Sequence, residues 1–221
     1  MIDIRTFCLL VLHLKVELKV YLWGRLAFDP TLNATALTLD FLNGYYSPQA
    51  APHMMQYMQL MDASLRLRGG ARPGMPRPFP SNSPQKREED FWSWGPHAAL
   101  FDNETVLSAS DALARAANAT TSDPLRHFRV AQAFTAVQFV AFYRWRELRA
   151  YASAHSQPWP FSESIAQEFD SFMVVMNHSG LKGGPITSTT AGVAPNGSKN
   201  AGGQVTLAEL RDQVMGHASR L

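Results

Sequence analysis

Glu163, Glu168 and Asp170 are the carboxylates of this 221-residue chain best placed for acid–base or metal chemistry. Helical bundles hold a metal ion or a proton-transfer pair with carboxylates projected inward from facing helices. Such sites also carry a Glu-x-x-His pair, and none accompanies these three residues. A glutamate on the polar face of an exposed helix is then expected to be solvated. His13, His53, His97, His127, His155, His178 and His217 are scattered without H-x-x-x-H spacing, so no zinc site is predicted. The single cysteine, Cys8, lies in an apolar run where it behaves as a small hydrophobe, and it excludes an internal disulfide. No nucleophile elbow, phosphate-cradling glycine loop or dinucleotide fingerprint occurs. No catalytic, metal or cofactor-binding residue is predicted, and no cofactor.

Residue types suited to binding are present. Trp92 and Trp94, with Phe91 beside them, read either as a platform for the apolar face of a sugar or as packing for an otherwise polar segment. Tyr45 and Tyr46 stand together in a Gly-Tyr-Tyr-Ser-Pro break, where their rings can cover a hairpin while their hydroxyls reach water, a neighbouring domain or a sugar. Asn33, Asn103, Asn118, Asn177 and Asn196 each open an N-x-[S/T] triplet, which makes five of the eight asparagines glycosylation acceptors. Two readings stay open for these triplets, a secretory-pathway protein or chance combined with helix caps and loop polarity. Localisation is left undetermined.

A net charge of +2 implies neither nucleic acid nor an anionic membrane as partner. The start of the chain is expected not to be a secretory leader: Asp3 accompanies Arg5, His13 and Lys15 interrupt the apolar run, and no small-residue cleavage site follows. Neither this run nor residues 133–142 are long enough to span a bilayer.

The elements that must position any site are helices. Leu10, Leu14, Leu18, Leu22 and Leu26 recur every fourth residue, predicting a helix from Ile4 to Ala27 that stops before Asp29-Pro30. A hairpin follows, with Asn33 as N-cap and Gly44 as C-cap of its first helix, then Ser47 as N-cap and Pro48 as first residue of its second. Ala51, Met54, Met55, Met58, Met61 and Leu65 form one stripe on that second helix, read as core filler. Residues 66–90 are basic and rich in Pro and Gly, which predicts a mobile loop rather than an RNA-binding segment. A helix over 104–118 precedes a long one from Pro124 to His155 carrying Phe128, Ala131, Phe134, Gln138, Ala141, Trp145, Leu148 and Ala152. Another helix, opened by Phe161 or Ser162, ends at Gly180. Residues 181–204 read as a Gly/Ser/Thr-rich linker before a last helix from Thr206 to Ser219 with a Thr206/Glu209 capping box. The expected fold is all-α, an irregular bundle of five to six helices. Its units are 1–65, a loop at 66–90, a bundle at 91–180, the linker at 181–204 and a terminal helix at 205–221.

Glu17-Leu18-Lys19, Tyr21, Leu26, Asp29-Pro30, Phe41-Leu42, Gly44-Tyr45-Tyr46, Pro48, Ala50-Ala51-Pro52 and Tyr57 together resemble a segment of a family of mostly bacterial proteins labelled as a domain of unknown function. That family is itself similar to α-glucuronidase and hexosaminidase-like glycoside hydrolases, and the segment follows its (β/α)8 barrel. Ser47 stands where the family usually has glycine, and Phe28 where tryptophan is common. The resemblance implies that the catalytic acids belong to the barrel, so no catalytic position carries over. It also implies a barrel domain as partner, with carbohydrate as the ligand class. The chain alone is then expected to be catalytically silent and to self-associate through its leucine-rich first helix; a helical protein-interaction module without chemistry is the alternative.

Overall fold

The computed structural model describes residues 17–68, 101–179, 186–187, 204–205, 211–212 and 215–216. The fold is all-α, as the periodicities predict, with seven helices of ten residues or more among the described residues. They are α1 (17–28), α2 (Ala34–Tyr45), α3 (Ala51–Arg68), α4 (Asn103–Asn118), α5 (Pro124–Tyr143), α6 (Trp145–Ala154) and α7 (Ile165–His178). Among the described residues the strand content is one two-residue antiparallel ladder, in which Ile186 faces Val205 and Thr187 faces Gln204. It joins the two ends of the Gly/Ser/Thr-rich segment. Residues 211–212 and 215–216 are helical, inside the span expected for the terminal helix, whose capping box lies outside the described residues. Leu10, Leu14 and Cys8 lie outside them too, as do nearly all of the basic loop and the linker.

Local chemistry sets the helix starts. Asn33 Oδ1 accepts from the N–H groups of Thr35 and Ala36 to open α2. Asp102 accepts from Thr105 N–H to open α4, and Asp123 from Arg126 N–H to open α5, with Pro124 in its first turn. α1 stops at the expected place: Pro30 cannot continue the ladder, and Asp29 turns its carboxylate onto the N–H and hydroxyl of Thr31.

The core lies where α3 packs on α4, α4 on α5, and α5 on α7. The second half of α5 is buried on every side, from Thr135 to Phe142. Phe142 meets Phe169 and Phe172 of α7 at centroid distances of 5.2 and 5.3 Å. Met54 is fully buried, while Met55, Met58 and Met61 pack partly buried against the same core, so the methionine stripe is filler as expected.

Four expectations need correction. The helix expected from Pro124 to His155 breaks at Arg144 (φ −123°, ψ 20°), where the backbone N–H bonds back to Ala141 O instead of continuing the i→i−4 ladder. The break lets the buried Arg144 guanidinium reach the Phe101 carbonyl, Asn103 Oδ1 and both Glu147 oxygens. Gly44 is not the C-cap of α2. The helix runs on through Tyr45, and the left-handed residue is Ser47, at φ 128°. Neither Phe161 nor Ser162 opens α7, which starts at Ile165, because both donors of Ser162 are drawn to Glu168 Oε2. Phe134 of the expected stripe is only partly buried, stacked on Phe161 at 5.9 Å.

Candidate functional site

The two adjacent tyrosines divide their roles. The last turn of α2 carries Phe41 and Tyr45 on one side, four residues apart, so their rings stack at 5.0 Å. One residue on, Tyr46 turns inward and is 1% exposed, its ring edge-on to Tyr45 at 4.9 Å. Tyr46 is thus a core residue, whereas Tyr45 stands at the surface. Ser47 then performs two tasks in one residue. Its left-handed backbone reverses the chain, and its Oγ accepts from Ala50 N–H at 3.1 Å, while its carbonyl takes the N–H of Ala51 at the start of α3. It caps the turn that leads into α3, but α3 itself begins at Ala51, so Pro48 lies in that turn and is not the first helical residue that the sequence predicts.

A hollow of about 340 Å³ opens beside this turn, lined by Tyr21, Asp40, Phe41, Gly44, Tyr45 and Arg129. α1 supplies Tyr21, whose hydroxyl donates to Asp40 Oδ2 at 2.5 Å and whose ring leans on Phe41 at 5.5 Å. α5 supplies Arg129. Its guanidinium lies 4.1 Å above the Tyr45 ring, and Nη1 donates to the Tyr45 carbonyl at 2.9 Å. One turn earlier Arg126 Nη2 lies 3.5 Å from the Gly44 carbonyl, so two arginines of α5 cover carbonyls that end α2. Burial pushes the Tyr45 hydroxyl up to about 12, and its hydrogen bond to the Glu17 carboxylate adds to the rise. The Tyr21 hydroxyl is raised as well, chiefly by its bond to Asp40. Both faces of the Tyr45 ring are occupied, one by Phe41 and the other by Arg129, so Tyr45 offers a ligand its rim and hydroxyl rather than a stacking face.

A second, smaller hollow of about 170 Å³ lies between Arg149, Ser153, Trp159 and Glu163. Arg149 bonds Glu163 through its carbonyl and its carboxylate and sits over Trp159 at 5.8 Å.

The three carboxylates considered for chemistry have separate surroundings. Glu163 is exposed against Arg149, and Asp170 is exposed on α7. Glu168 departs from the solvated state expected of it. It is 6% exposed, Oε1 accepts from Gln138 Nε2 at 2.6 Å, and Oε2 accepts from the N–H and hydroxyl of Ser162. Among the described residues no group of three or more His, Cys, Asp or Glu side chains is placed to hold a metal ion, and no helix is long and apolar enough to cross a membrane.

Asn33, Asn118 and Asn177 are exposed, Asn33 while capping α2, and Asn103 is partly buried with its side-chain oxygen held by Arg144. Trp92, Trp94 and Asn196 lie outside the described residues. The sequence reading did not single out Tyr21, Asp40 and Arg129 as a group. Tyr21 and Asp40 are 19 positions apart and Arg129 is 84 from Tyr45, so no local spacing announces them.

In comparison with known proteins, the model of a domain of unknown function, DUF4838, matches residues 13–59, less than a quarter of the chain. No curated protein and no solved structure matches. The matched stretch contributes Tyr21, Asp40, Phe41, Gly44 and Tyr45 of the larger hollow, and Arg129 comes from beyond it.

Proposed function

We propose that this chain is a non-catalytic helical part of a glycoside-hydrolase-like, carbohydrate-active protein, and that α1 with α2 packs against a (β/α)8 barrel. One observation carries the reading. Val20, Trp23, Phe28 and Leu39 are exposed, Trp23 at 74% and Phe28 at 94%, and all four lie inside the DUF4838-matching residues 13–59. A recurring sequence segment that leaves Val20, Trp23, Phe28 and Leu39 in water while burying Leu42, Tyr46, Met54 and Tyr57 is shaped for another surface. Burying each would contribute roughly 1.5–3 kcal/mol. The docking face differs from the leucine row first expected: Leu18 is buried and Leu22 and Leu26 are partly so, while Val20 and Trp23 point the other way.

The test is sedimentation of the purified chain, alone and mixed with the separately produced barrel domain of a protein matching the same family model. A one-to-one complex that is lost in Trp23→Asp, without change in the thermal midpoint of the chain, supports the proposal. Self-association through α1 with indifference to the barrel would favour the stand-alone interaction module instead. A monomer that ignores the barrel would sink both readings.

A further inference from the structure

We propose that the hollow between α1, α2 and α5 binds a neutral, hydroxylated ring of pyranose size, held at its edge by Asp40, Arg129 and the Tyr21 hydroxyl. The choice of a sugar rests on the carbohydrate-active reading above, to which this hollow adds a site; it does not require the chain to meet a barrel. The volume of about 340 Å³ admits one such ring. The wall includes the rings of Tyr21, Phe41 and Tyr45, which pack on one another and leave hydrogen bonding to the polar groups between them. The polar groups include one carboxylate and one guanidinium, so the lining carries one charge of each sign, which favours a ligand without net charge.

Hydroxyls meet these groups best because each donates and accepts. Asp40 has an oxygen beyond the one bonded to Tyr21, and it can accept from a ring hydroxyl. Arg129 retains donors beyond Nη1, and among the described residues no carboxylate forms an ion pair with it. A carboxylate ligand is disfavoured by the Asp40 carboxylate of the same lining, and Nη1 of Arg129 is already committed to the Tyr45 carbonyl. Stacking of the ligand on Tyr45 is excluded by Phe41 and Arg129 on its two faces. Recognition therefore falls to hydrogen bonds in the plane of the ring.

The experiment is saturation-transfer NMR on the full chain with neutral methyl pyranosides at millimolar concentration. Asp40→Ala is the test variant, Tyr21→Phe a milder one that keeps the ring, and Glu163→Ala a control at the other hollow. Transfer is expected from at least one pyranoside, with affinity about tenfold weaker in Asp40→Ala, weakened in Tyr21→Phe and unchanged in Glu163→Ala. Should Asp40→Ala not fold, Tyr21→Phe decides alone. Absence of transfer overturns the proposal, as does equal binding by the Asp40 and Tyr21 variants. Stronger competition by glycine, acetate or methylammonium than by any pyranoside overturns it too, since the hollow would then be reading charge. The barrel titration reads Trp23, a different side of α1, so either proposal can fail without the other.

Discussion

Gln138 of α5 donates its side-chain N–H to Glu168 of α7 at 2.6 Å, and both residues are buried in the bundle. The other Glu168 oxygen holds the N–H and hydroxyl of Ser162, so one carboxylate joins two helices to the loop before α7. A buried carboxylate is costly unless hydrogen-bonded, and here three donors offset that cost. Glu168→Ala removes the acceptor for all three and should destabilise the chain by about 3 kcal/mol. Glu168→Gln keeps the shape but turns an amide donor toward another donor, so an intermediate loss is expected. Urea midpoints check the order, and an alanine variant as stable as the parent would refute the clamp.

The aromatic centre offers a second measurement. Phe142 is 2% exposed between Phe169, Phe172 and Trp145, whereas Phe134 is partly buried on the edge of the same cluster. Phe142→Ala should cost about 3–5 kcal/mol, and Phe134→Ala roughly half as much. Equal losses in chemical denaturation would mean that α5 presents a different face to the core.

What the sequence disclosed follows the reach of each interaction. Asn33 caps α2 by bonding two and three residues ahead, and Pro30 and Pro124 act on their own turns, so the end of α1 and the starts of α2 and α5 were legible. The break at Arg144 was not. It goes with a guanidinium held by Phe101 and Asn103, 43 and 41 positions away, and a continuous apolar stripe gives no sign of it. Glu168 looks like a surface residue until Gln138, 30 positions earlier, is brought opposite. The hollow was half legible: paired tyrosines in a break drew attention to Tyr45, but Arg129 reaches it only through the packing of α5.

Alkaline pH should unfold the protein cooperatively. Burial pushes the Tyr143 hydroxyl up to about 12, and it raises Tyr46 and Tyr57 further still, from an ordinary value of 10.0. Below pH 10 these phenols are protonated whether the chain is folded or not, and the stability is fully present. Above it the unfolded chain ionises first, so stability is lost between about pH 10 and 12, by ~1.4 kcal/mol per pH unit for Tyr143. Denaturation midpoints against pH, with tyrosinate absorbance in parallel, give the slope. Tyr143→Phe should flatten it; a slope unchanged in that variant would assign the effect elsewhere.

Ser47 supplies a test in which two small substitutions move stability in opposite directions. Its φ of 128° lies in a region that glycine enters freely and a residue with a Cβ enters at a cost of about 1–3 kcal/mol. Against that gain, Ser47→Gly gives up the Oγ bond to Ala50 N–H, but glycine is itself tolerated as an N-cap and loses only a few tenths of a kcal/mol. The looser unfolded chain takes back roughly 0.5–1 kcal/mol more. The balance leaves Ser47→Gly about 0.5–1 kcal/mol more stable than the parent. Ser47→Ala keeps the unfavourable backbone and loses the cap, at a site 5% exposed where water cannot readily replace the bond, so it should be about 1 kcal/mol less stable. Thermal midpoints of the three proteins should therefore fall in the order glycine, serine, alanine. A glycine variant below the parent would mean that the hydroxyl cap outweighs the backbone strain, and that the α2–α3 turn is set by Ser47 Oγ rather than by its left-handed backbone.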